Sequence, residues 1–364
     1  MEGTGRLPYA LAALGCAISA CVGATSASSP THPSSSASGP SQSIDIPLPP
    51  ADDGPHGVVR LAFVGDMHFQ LHLAAMLDHP DGALGPITKT LQRADLAMAN
   101  LESSITARGL PEPKDFHFRT TAPALDVLDA AGIDVVTMGN NHAVDYGQEG
   151  LTDTLHAIAH SPVAVVGIGR DSAAAYRPHI VSVSETDIAF LAASTKRERT
   201  SAAWSAGPDT PGIAVDLGPG SLLVDAVRDA AQRADVVVVY LHWGVEGRGC
   251  PGAQQRATAR TLAAAGADVI VGSHAHVLLG AGWMGDTYVS YGLANFLWYH
   301  NHDPETGVLQ VRIEDGEVTA GAWAPAQIQL FGRPLPLHGI ERAAAIADWN
   351  RLRACTGLAA TPTA

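Results

Sequence analysis

The chain has 364 residues and a formal net charge of −14, from 22 Lys and Arg against 36 Asp and Glu. That balance argues against binding to nucleic acid, because phosphate contacts need clustered cations. Hydrophobic residues make up 46% of the chain, so a sizeable core is expected and wholesale disorder is excluded. The 16 histidines stand out because neutral imidazole is the commonest metal ligand in proteins.

The N-terminus predicts an export signal. Arg6 precedes an apolar stretch over residues 7–21 that has the length of a secretory h-region and is short for a membrane span. The stretch ends in Ile-Ser-Ala-Cys, which resembles the lipobox of bacterial lipoproteins and predicts lipidation of Cys21 after cleavage. Ordinary signal cleavage near Ala24 and an uncleaved anchor are the alternatives.

Residues 22–57 predict a disordered linker, because a segment dominated by Ser, Pro, Thr, Ala and Gly cannot bury enough apolar surface to fold. With a lipid on Cys21, this linker would act as a flexible tether. The expected location is therefore the extracytoplasmic face of the cell membrane, with the lipid anchor as the membrane contact.

Two of the four cysteines, Cys16 and Cys21, lie in the signal, which leaves Cys250 and Cys355 as a pair. In an exported protein this pair predicts a disulfide that ties the C-terminus back to the loop after Trp243. The alternative is two unpaired thiols.

From residue 58 onward the sequence predicts an α/β domain that reaches to about residue 330. Continuous Val/Ile runs indicate strands covered on both faces. The predicted strands cover 58–64, 95–99, 133–138, 163–166, 180–183, 188–192, 236–240, 269–271, 287–291, 308–312 and 318–323. The predicted helices cover 123–131, 149–160, 220–233 and 254–265. Residues 331–364 are expected to form a C-terminal tail packed on the domain.

Five predicted strands are followed directly by polar residues suited to metal binding. Because ligands bind beyond the carboxyl ends of strands in α/β sheets, these residues are expected to share one rim. Imidazole, carboxylate and amide groups suit divalent ions such as Zn, Fe and Mn, and a carboxylate can bridge two of them. The five segments are Gly65-Asp66-Met67-His68, Asn100-Leu101-Glu102, Gly139-Asn140-Asn141-His142, Leu241-His242-Trp243-Gly244 and Gly272-Ser273-His274-Ala275-His276.

At these residues the chain resembles the poly-γ-glutamate capsule synthesis (CapA) family of the calcineurin-like metallophosphoesterase superfamily. The capsule-branch elements among them are the Gly-Asp pair at residues 65–66, Asn-Leu-Glu, Gly-Asn-Asn-His and Gly-x-His-x-His. The branch also has His-Trp-Gly-x-Glu, here over residues 242–246, and a late Gly-x-x-Asn-Phe, here over 292–296. The resemblance covers residues 58–330. It implies a four-layer α/β/β/α sandwich of the metallophosphoesterase type, and two divalent metal ions of the Mn, Fe or Zn type as cofactors.

The resemblance also implies a role for each site residue. Glu102 would bridge the two metals, and His142 would face the substrate as general acid or transition-state stabiliser instead of binding metal. The remaining ligands would be Asp66, His68 and His276 on one metal, and Asn141, His242 and His274 on the other.

Two differences from the related patterns concern the ligands. Asn-Leu-Glu replaces the bridging Gly-Asp-x-x-Asp of the superfamily, so the longer side chain of Glu102 changes the expected spacing between the metals. Many members of the capsule branch lack a histidine at the position of His68, and its presence here makes the site closer to that of a complete phosphoesterase.

Four other residues are weaker candidates for the site. Asp145 and Glu246 could orient His142 or His242, or could be solvated loop acids. Arg119 could bind a substrate phosphate or carboxylate, or could be an ordinary surface charge. Asn295 could line the site or cap a turn.

Three functions fit this sequence. The first is a hydrolase in which metal-activated water attacks a phosphoester and His142 assists the leaving group. The second is a hydrolase or transferase acting on γ-glutamyl bonds of a cell-surface polymer. The third is a non-catalytic component of capsule assembly or export, which would have capsule-synthesis membrane proteins as partners. A phosphoester or a poly-γ-glutamate-related molecule is the expected substrate, and the complete ligand set favours chemistry over a structural metal.

Overall fold

A computed structural model describes residues 57–363, except 197, 217 and 219. The predicted export signal, Cys21 and the linker up to residue 56 lie outside the described residues. Within the described part of the chain, no helix has the length and apolar character needed to cross a membrane.

The secondary structure alternates strands and helices, as the sequence predicts. The strands are β1 (Val58–Met67), β2 (Leu96–Leu101), β3 (Ser104–Ile105), β4 (Arg119–Thr120), β5 (Val135–Thr137), β6 (Ala164–Val166), β7 (Ile168–Gly169), β8 (His179–Val183), β9 (Thr186–Ser194), β10 (Gly212–Ile213), β11 (Val236–His242), β12 (Val269–Ser273), β13 (Leu278–Met284), β14 (Thr287–Leu293), β15 (Asn295–Leu297), β16 (Glu305–Glu314), β17 (Glu317–Ile328) and β18 (Pro334–Pro336). The helices are α1 (Thr88–Leu91), α2 (Pro123–Ala130), α3 (Gly147–Ile158), α4 (Ser172–Ala175), α5 (Arg199–Ala203), α6 (Leu222–Ala230), α7 (Ala253–Ala265) and α8 (Gly339–Leu352), with 3-10 turns at Leu71–Asp78, Gly85–Ile87 and Arg353–Cys355.

Two large mixed sheets form the centre of the domain. In the first sheet the strand order is β18-β17-β16-β1-β2-β5-β6, with β15 also paired to β1. In the second sheet the order is β13-β14-β12-β11-β9-β8. The strands that lead to the predicted ligands run parallel within each sheet, because β1 pairs with β2 and β11 pairs with β12 in parallel register.

The two sheets pack face to face, and helices cover their outer faces. On β1, the side chains of Leu61 and Phe63 point into the core between the sheets, whereas those of Ala62 and Val64 point to the outer core. This alternation follows from the two-residue repeat of a strand. Helices α2 and α3 cover the first sheet, and α6 and α7 cover the second. The structure is thus the expected four-layer α/β/β/α sandwich.

The C-terminal segment, expected as a tail, is built into this sandwich. Strand β18 extends the first sheet beside β17, and Ala359 pairs with Trp283 of β13. Helix α8 packs on β13 and β17, where the indole of Trp349 stacks on that of Trp323 with ring centroids 5.3 Å apart. Trp349 is the single buried residue of α8, and Ile346 and Leu352 pack beside it against the same core.

A disulfide joins Cys250 to Cys355 directly after α8, and it closes a separation of 105 residues along the chain. A crosslink over a loop of this length is worth about 4–5 kcal/mol in the chain-entropy treatment, and measured values fall at about 2–5 kcal/mol. We expect the Cys250→Ser/Cys355→Ser variant to lose about 2–4 kcal/mol of unfolding free energy in urea.

The circular dichroism of the stacked indoles Trp323 and Trp349 can locate this loss of unfolding free energy. If the bond secures α8, near-ultraviolet circular dichroism from the Trp323–Trp349 pair should fall at lower urea concentration than the far-ultraviolet signal of the two sheets. Reduced wild-type protein serves as the matched control. An unchanged urea midpoint in both would contradict the prediction.

Candidate metal centre

The predicted ligand segments converge at one end of the sandwich because the parallel strands end in register. Asp66 of β1 lies beside Asn100 of β2, and His242 of β11 lies beside Ser273 of β12. The two sheets meet here, since the backbone N–H of His274 donates a 2.9 Å hydrogen bond to Oδ2 of Asp66. Residues from both sheets therefore share one rim.

Two groups of potential metal ligands lie at this rim, and Glu102 belongs to both. One group contains Asp66, Glu102 and His242, and the other contains Glu102, His274 and His276. Within each group, the ligand atoms lie within 4.8 Å of one another. A carboxylate common to two ligand groups is the arrangement that a bridging ligand requires.

The carboxylate of Glu102 provides the strongest test of whether a cation fits. Glu102 is fully buried, and neither of its oxygens has a hydrogen-bond partner among the described residues. The ring nitrogens near it are Nε2 of His242 at 3.4 Å and Nε2 of His142 at 3.8 Å. A buried carboxylate without partners is strongly destabilising, so the site calls for a positive charge between these groups. The mixed O and N donors suit Mn, Fe or Zn.

The pKa values of two neighbouring residues indicate how strongly the carboxylates and imidazoles of this rim interact. Burial alone would raise the pKa of Asp66, but hydrogen bonding to His276 and the charges of His242 and His276 lower it to about 2. Burial lowers the pKa of His276, but Glu102 and Asp66 outweigh that effect and raise it to about 9. The two carboxylates therefore favour a positive charge at the position of His276.

Two further potential ligands lie close to Nε2 of His242. Oδ1 of Asn141 lies 2.6 Å from Nε2 of His242, and Nδ1 of His274 lies 3.0 Å from the same nitrogen. The structure thus brings Asn141, His242 and His274 together, and these three were expected to share one metal.

His68 is placed differently from the other expected ligands. It is fully buried against the rings of Phe118, Trp298 and Tyr299, at centroid distances of 4.7, 4.2 and 4.8 Å. Its Nδ1 accepts a hydrogen bond from the backbone N–H of Gln70, and its Nε2 has no partner among the described residues. His68 lies in neither ligand group, so its role as a ligand stays a prediction.

His142 forms a dyad with Asp145, which bears on the proposed orienting role of that acid. Nδ1 of His142 lies 2.6 Å from Oδ2 of Asp145, and Nε2 points toward Glu102. Asp145 is fixed in turn by the backbone N–H of Phe118 at 2.6 Å and by the ammonium of Lys114 at 2.7 Å. A fixed acceptor on Nδ1 sets the ring orientation and leaves Nε2 directed at the ligand cluster.

A family model described as "Bacterial capsule synthesis protein PGA_cap" matches residues 60–300, which is more than half of the chain. The chain belongs to this family. The resemblance stated from the sequence motifs is therefore confirmed.

Two curated relatives carry related descriptions. The PGA biosynthesis protein CapA of Bacillus subtilis is 29% identical over 245 residues, which cover 66% of this chain and 63% of that protein. The capsule biosynthesis protein CapA of Bacillus anthracis is 26% identical over 292 residues, which cover 77% of this chain and 69% of that protein. The chain thus spans less than two thirds of the Bacillus subtilis relative. A hypothetical protein from Thermus thermophilus superposes with a TM-score of 0.49 at 15% identity, covering 74% of this chain and 99% of that one.

Three of the weaker candidate residues differ in how closely they approach the ligand cluster. Asn295 contacts the ligand cluster, because its Oδ1 lies 2.8 Å from Nδ1 of His276. Glu246 lies 3.8 Å from Nε2 of His274 with 59% of its side chain exposed, so an orienting role toward His142 or His242 stays a prediction. Arg119 is exposed, and its guanidinium covers the ring of Tyr146 at 4.7 Å.

Sequence reasoning missed a chain of amides beneath the ligands. The side chain of Asn140 donates to Oδ1 of Asn100 at 2.9 Å, and Asn100 donates to Oδ1 of Asp66 at 2.7 Å. Asn140 also accepts from the backbone N–H of His142 at 3.0 Å. This network links the His142–Asp145 dyad to the ligand Asp66. Both amides lie inside the Asn-Leu-Glu and Gly-Asn-Asn-His motifs, which are the signal that could have identified them.

The turn that carries His274 and His276 is strained and tightly packed. Both residues have positive φ, 85° and 58°, which L residues other than glycine seldom adopt. At Gly272, just before them, a Cβ would lie 2.1 Å from Nε1 of Trp243. Trp243 is fully buried and donates to the carbonyl of Tyr291, so it packs in the core beside this turn.

Proposed function

We propose that this protein is a metal-dependent hydrolase of the capsule synthesis family that cleaves a phosphoester at a site for two divalent ions. The observation that carries the proposal is the buried, unpartnered carboxylate of Glu102, shared by two ligand groups, with the His142–Asp145 dyad directed at it. A purely structural metal site needs no oriented acid beside it, so the dyad favours catalysis.

The residues of the ligand cluster and the dyad would have separate roles. Glu102 would be shared by both ions. The family resemblance would place Asp66 and His276 on one ion and Asn141, His242 and His274 on the other, whereas the ligand groups of the structure pair Asp66 with His242 and His274 with His276. The metal ions would polarise the phosphoryl group and activate water. His142 would deliver a proton from Nε2 to the leaving oxygen, while Asp145 holds its Nδ1 proton. Lys114 keeps the carboxylate of Asp145 paired, and its Nζ also donates to the backbone carbonyl of Asn141 at 2.7 Å.

A second candidate reaction is cleavage of a γ-glutamyl bond at the same site. The Bacillus subtilis relative is described as a PGA biosynthesis protein, which favours a polymer-related substrate. The same residues suit this reaction, because a carbonyl develops negative charge as a phosphoryl group does.

The deciding experiment measures metal content and turnover of the purified full-length chain after loading with Mn, Fe or Zn. Substrates would be an aryl phosphomonoester, an aryl phosphodiester and a γ-glutamyl anilide. Close to two ions per chain and turnover of a phosphoester would support the proposal. Metal with turnover of the anilide alone would select the second reaction, and a chain that holds no metal after loading would overturn both.

We also propose that the protein is exported and anchored by a lipid on Cys21. The apolar N-terminal stretch and the disulfide between Cys250 and Cys355 support export, since disulfides persist in oxidising compartments. Cys21→Ala should abolish labelling by radioactive palmitate in bacterial cells and release the protein from the membrane fraction, with Cys16→Ala as the matched control. Labelling that persists in Cys21→Ala would contradict the anchor.

A further inference from the structure

The loop that joins β3 to β4, residues 106–118, wraps around the segment that carries the dyad. The backbone N–H of Glu112 donates to the carbonyl of Asp145 at 2.8 Å. A Cβ on Gly109 would lie 2.2 Å from the carbonyl oxygen of Tyr146, so the two backbones approach as closely as a glycine allows. The loop and the dyad segment are therefore packed directly on each other.

Lys114 of this loop places one ammonium between two parts of the dyad segment. Its Nζ lies 2.7 Å from Oδ1 of Asp145 and donates to the backbone carbonyl of Asn141 at 2.7 Å. The carboxylate of Glu198 lies further away, at 3.9 Å. The side chain is 14% exposed and its donors face protein oxygens, so Lys114 acts through its neighbours and not on a substrate.

The two oxygens of the Asp145 carboxylate have separate partners. Oδ2 accepts from the backbone N–H of Phe118 at 2.6 Å and lies 2.6 Å from Nδ1 of His142. Oδ1 is buried, and among the described residues its one partner is the ammonium of Lys114. Because the terminal torsion of an aspartate is broad, contacts at Oδ2 alone would leave the plane of the carboxylate free to turn. The ammonium fixes that plane.

Phe118 restrains the imidazole of His142 by packing. The two ring centroids lie 4.3 Å apart with an angle of 31° between the ring planes, and Phe118 is itself buried. Such packing fixes the plane of the imidazole, but a half-turn flip of the ring keeps the same plane and exchanges its two edges. The hydrogen bond between Nδ1 and Asp145 is what opposes this flip.

The orientation of His142 thus depends on a chain of contacts that begins at Lys114. The ammonium fixes the carboxylate of Asp145, and this carboxylate holds Nδ1, so Nε2 stays directed at Glu102. The same ammonium holds the carbonyl of Asn141, the residue before His142, and so fixes the backbone from which the imidazole projects.

We propose that Lys114 is the positioning residue of the dyad: it holds His142 in the ring orientation that directs Nε2 at the ligand cluster, without contacting substrate or metal. This inference rests on the proposed function, in which His142 is the general acid, and it adds a required residue outside the ligand set. An acid that is oriented before the reaction contributes more than one that must be oriented during it.

The first test observes the Nδ1 proton of His142 by NMR in the metal-free, full-length chain with isotope-labelled histidine. A proton held between imidazole and carboxylate gives a low-field resonance that exchanges slowly with water, and its absence from His142→Ala assigns it. The resonance should be lost or broadened by exchange in Lys114→Met and retained in Lys114→Arg. Lys89→Met, which removes an exposed lysine on α1, is the matched control and should retain it.

Turnover of the metal-loaded chain separates positioning from substrate or metal binding. Lys114→Met should lower kcat about 10- to 100-fold, as expected for a misplaced catalytic group, and should change KM and metal content less than about threefold. In an Asp145→Asn background the same substitution should lower kcat no further, because the lysine acts through that carboxylate. Asp145→Asn also removes the buried charge that Lys114→Met would leave unpaired, so the double variant is expected to fold.

Two results would overturn the inference. One is a resonance that is absent from wild type or persists unchanged in Lys114→Met. The other is a loss of kcat in Lys114→Met that is equally large in the Asp145→Asn background or comes with an equal loss of metal, which would make Lys114 a general support of the fold. A resonance that depends on Lys114 in a chain without turnover would instead retain the inference and reject the proposed hydrolysis.

Discussion

Replacing Glu102 by Gln is expected to reduce metal affinity more than 100-fold and to abolish turnover. The amide is nearly isosteric with the carboxylate but carries no charge and cannot bridge two cations, so both ligand groups lose their common member. Metal content by mass spectrometry of the full-length chain should fall from about two ions to fewer than one. Glu341→Gln, in the exposed first turn of α8, is the matched control.

The stability of the metal-free protein distinguishes this effect from misfolding. Because both oxygens of Glu102 are buried without a hydrogen-bond partner, metal-free Glu102→Gln should be more stable in urea than metal-free wild type at a pH above about 9, where His276 no longer carries a compensating charge, by about 1–3 kcal/mol. With metal present the order should reverse, since only wild type gains free energy from binding. If the variant is less stable in both states, the carboxylate has a structural partner and the metal interpretation of Glu102 is wrong.

Replacing His142 by Ala is expected to lower kcat about 10²- to 10⁴-fold, the usual contribution of a general acid. The metal content should be unchanged, because Nε2 of His142 lies 3.8 Å from Glu102 and the residue belongs to neither ligand group. The measurement is kcat and metal content on the same preparation, with the aryl phosphodiester as substrate.

A leaving-group series and the partner acid supply the controls for His142. The loss in His142→Ala should shrink as the leaving alcohol becomes more acidic, because a good leaving group needs no proton. Asp145→Asn should also lower kcat, and the double variant should be no slower than His142→Ala alone, since the two residues act as one unit. Strictly additive losses, or a loss independent of the leaving group, would refute an acid role.

Much of this architecture could be predicted from the sequence because the pattern that buries strands also fixes where they end. The runs that precede Asp66, Asn100 and His242 are apolar apart from Arg60, which indicates strands covered on both faces with ligands at their carboxyl ends. Register brings together the residues within each sheet, and the packing of the two sheets, with the hydrogen bond from the backbone N–H of His274 to Asp66, brings both sets to one rim.

The remaining features depend on interactions that no local pattern records. Helix α8 carries alanine on several faces, and Trp349 is its one buried residue. Its sequence therefore shows no strong helical periodicity of apolar residues. Arg119 and Lys196 are both cations beside motif residues. The side chain of Arg119 lies over the ring of Tyr146, and that of Lys196 contacts the imidazole of His274. Neither contact is visible in the sequence.

Strand β1 connects the predicted tether to the chemistry in a single element. It begins at Val58, directly after the linker segment, and reaches Asp66 at the ligand cluster eight residues later. At about 3.3 Å per residue, these two points lie about 26 Å apart, at opposite ends of the sheet. The predicted tether would therefore join the domain at the end of the first sheet that lies opposite the ligand cluster.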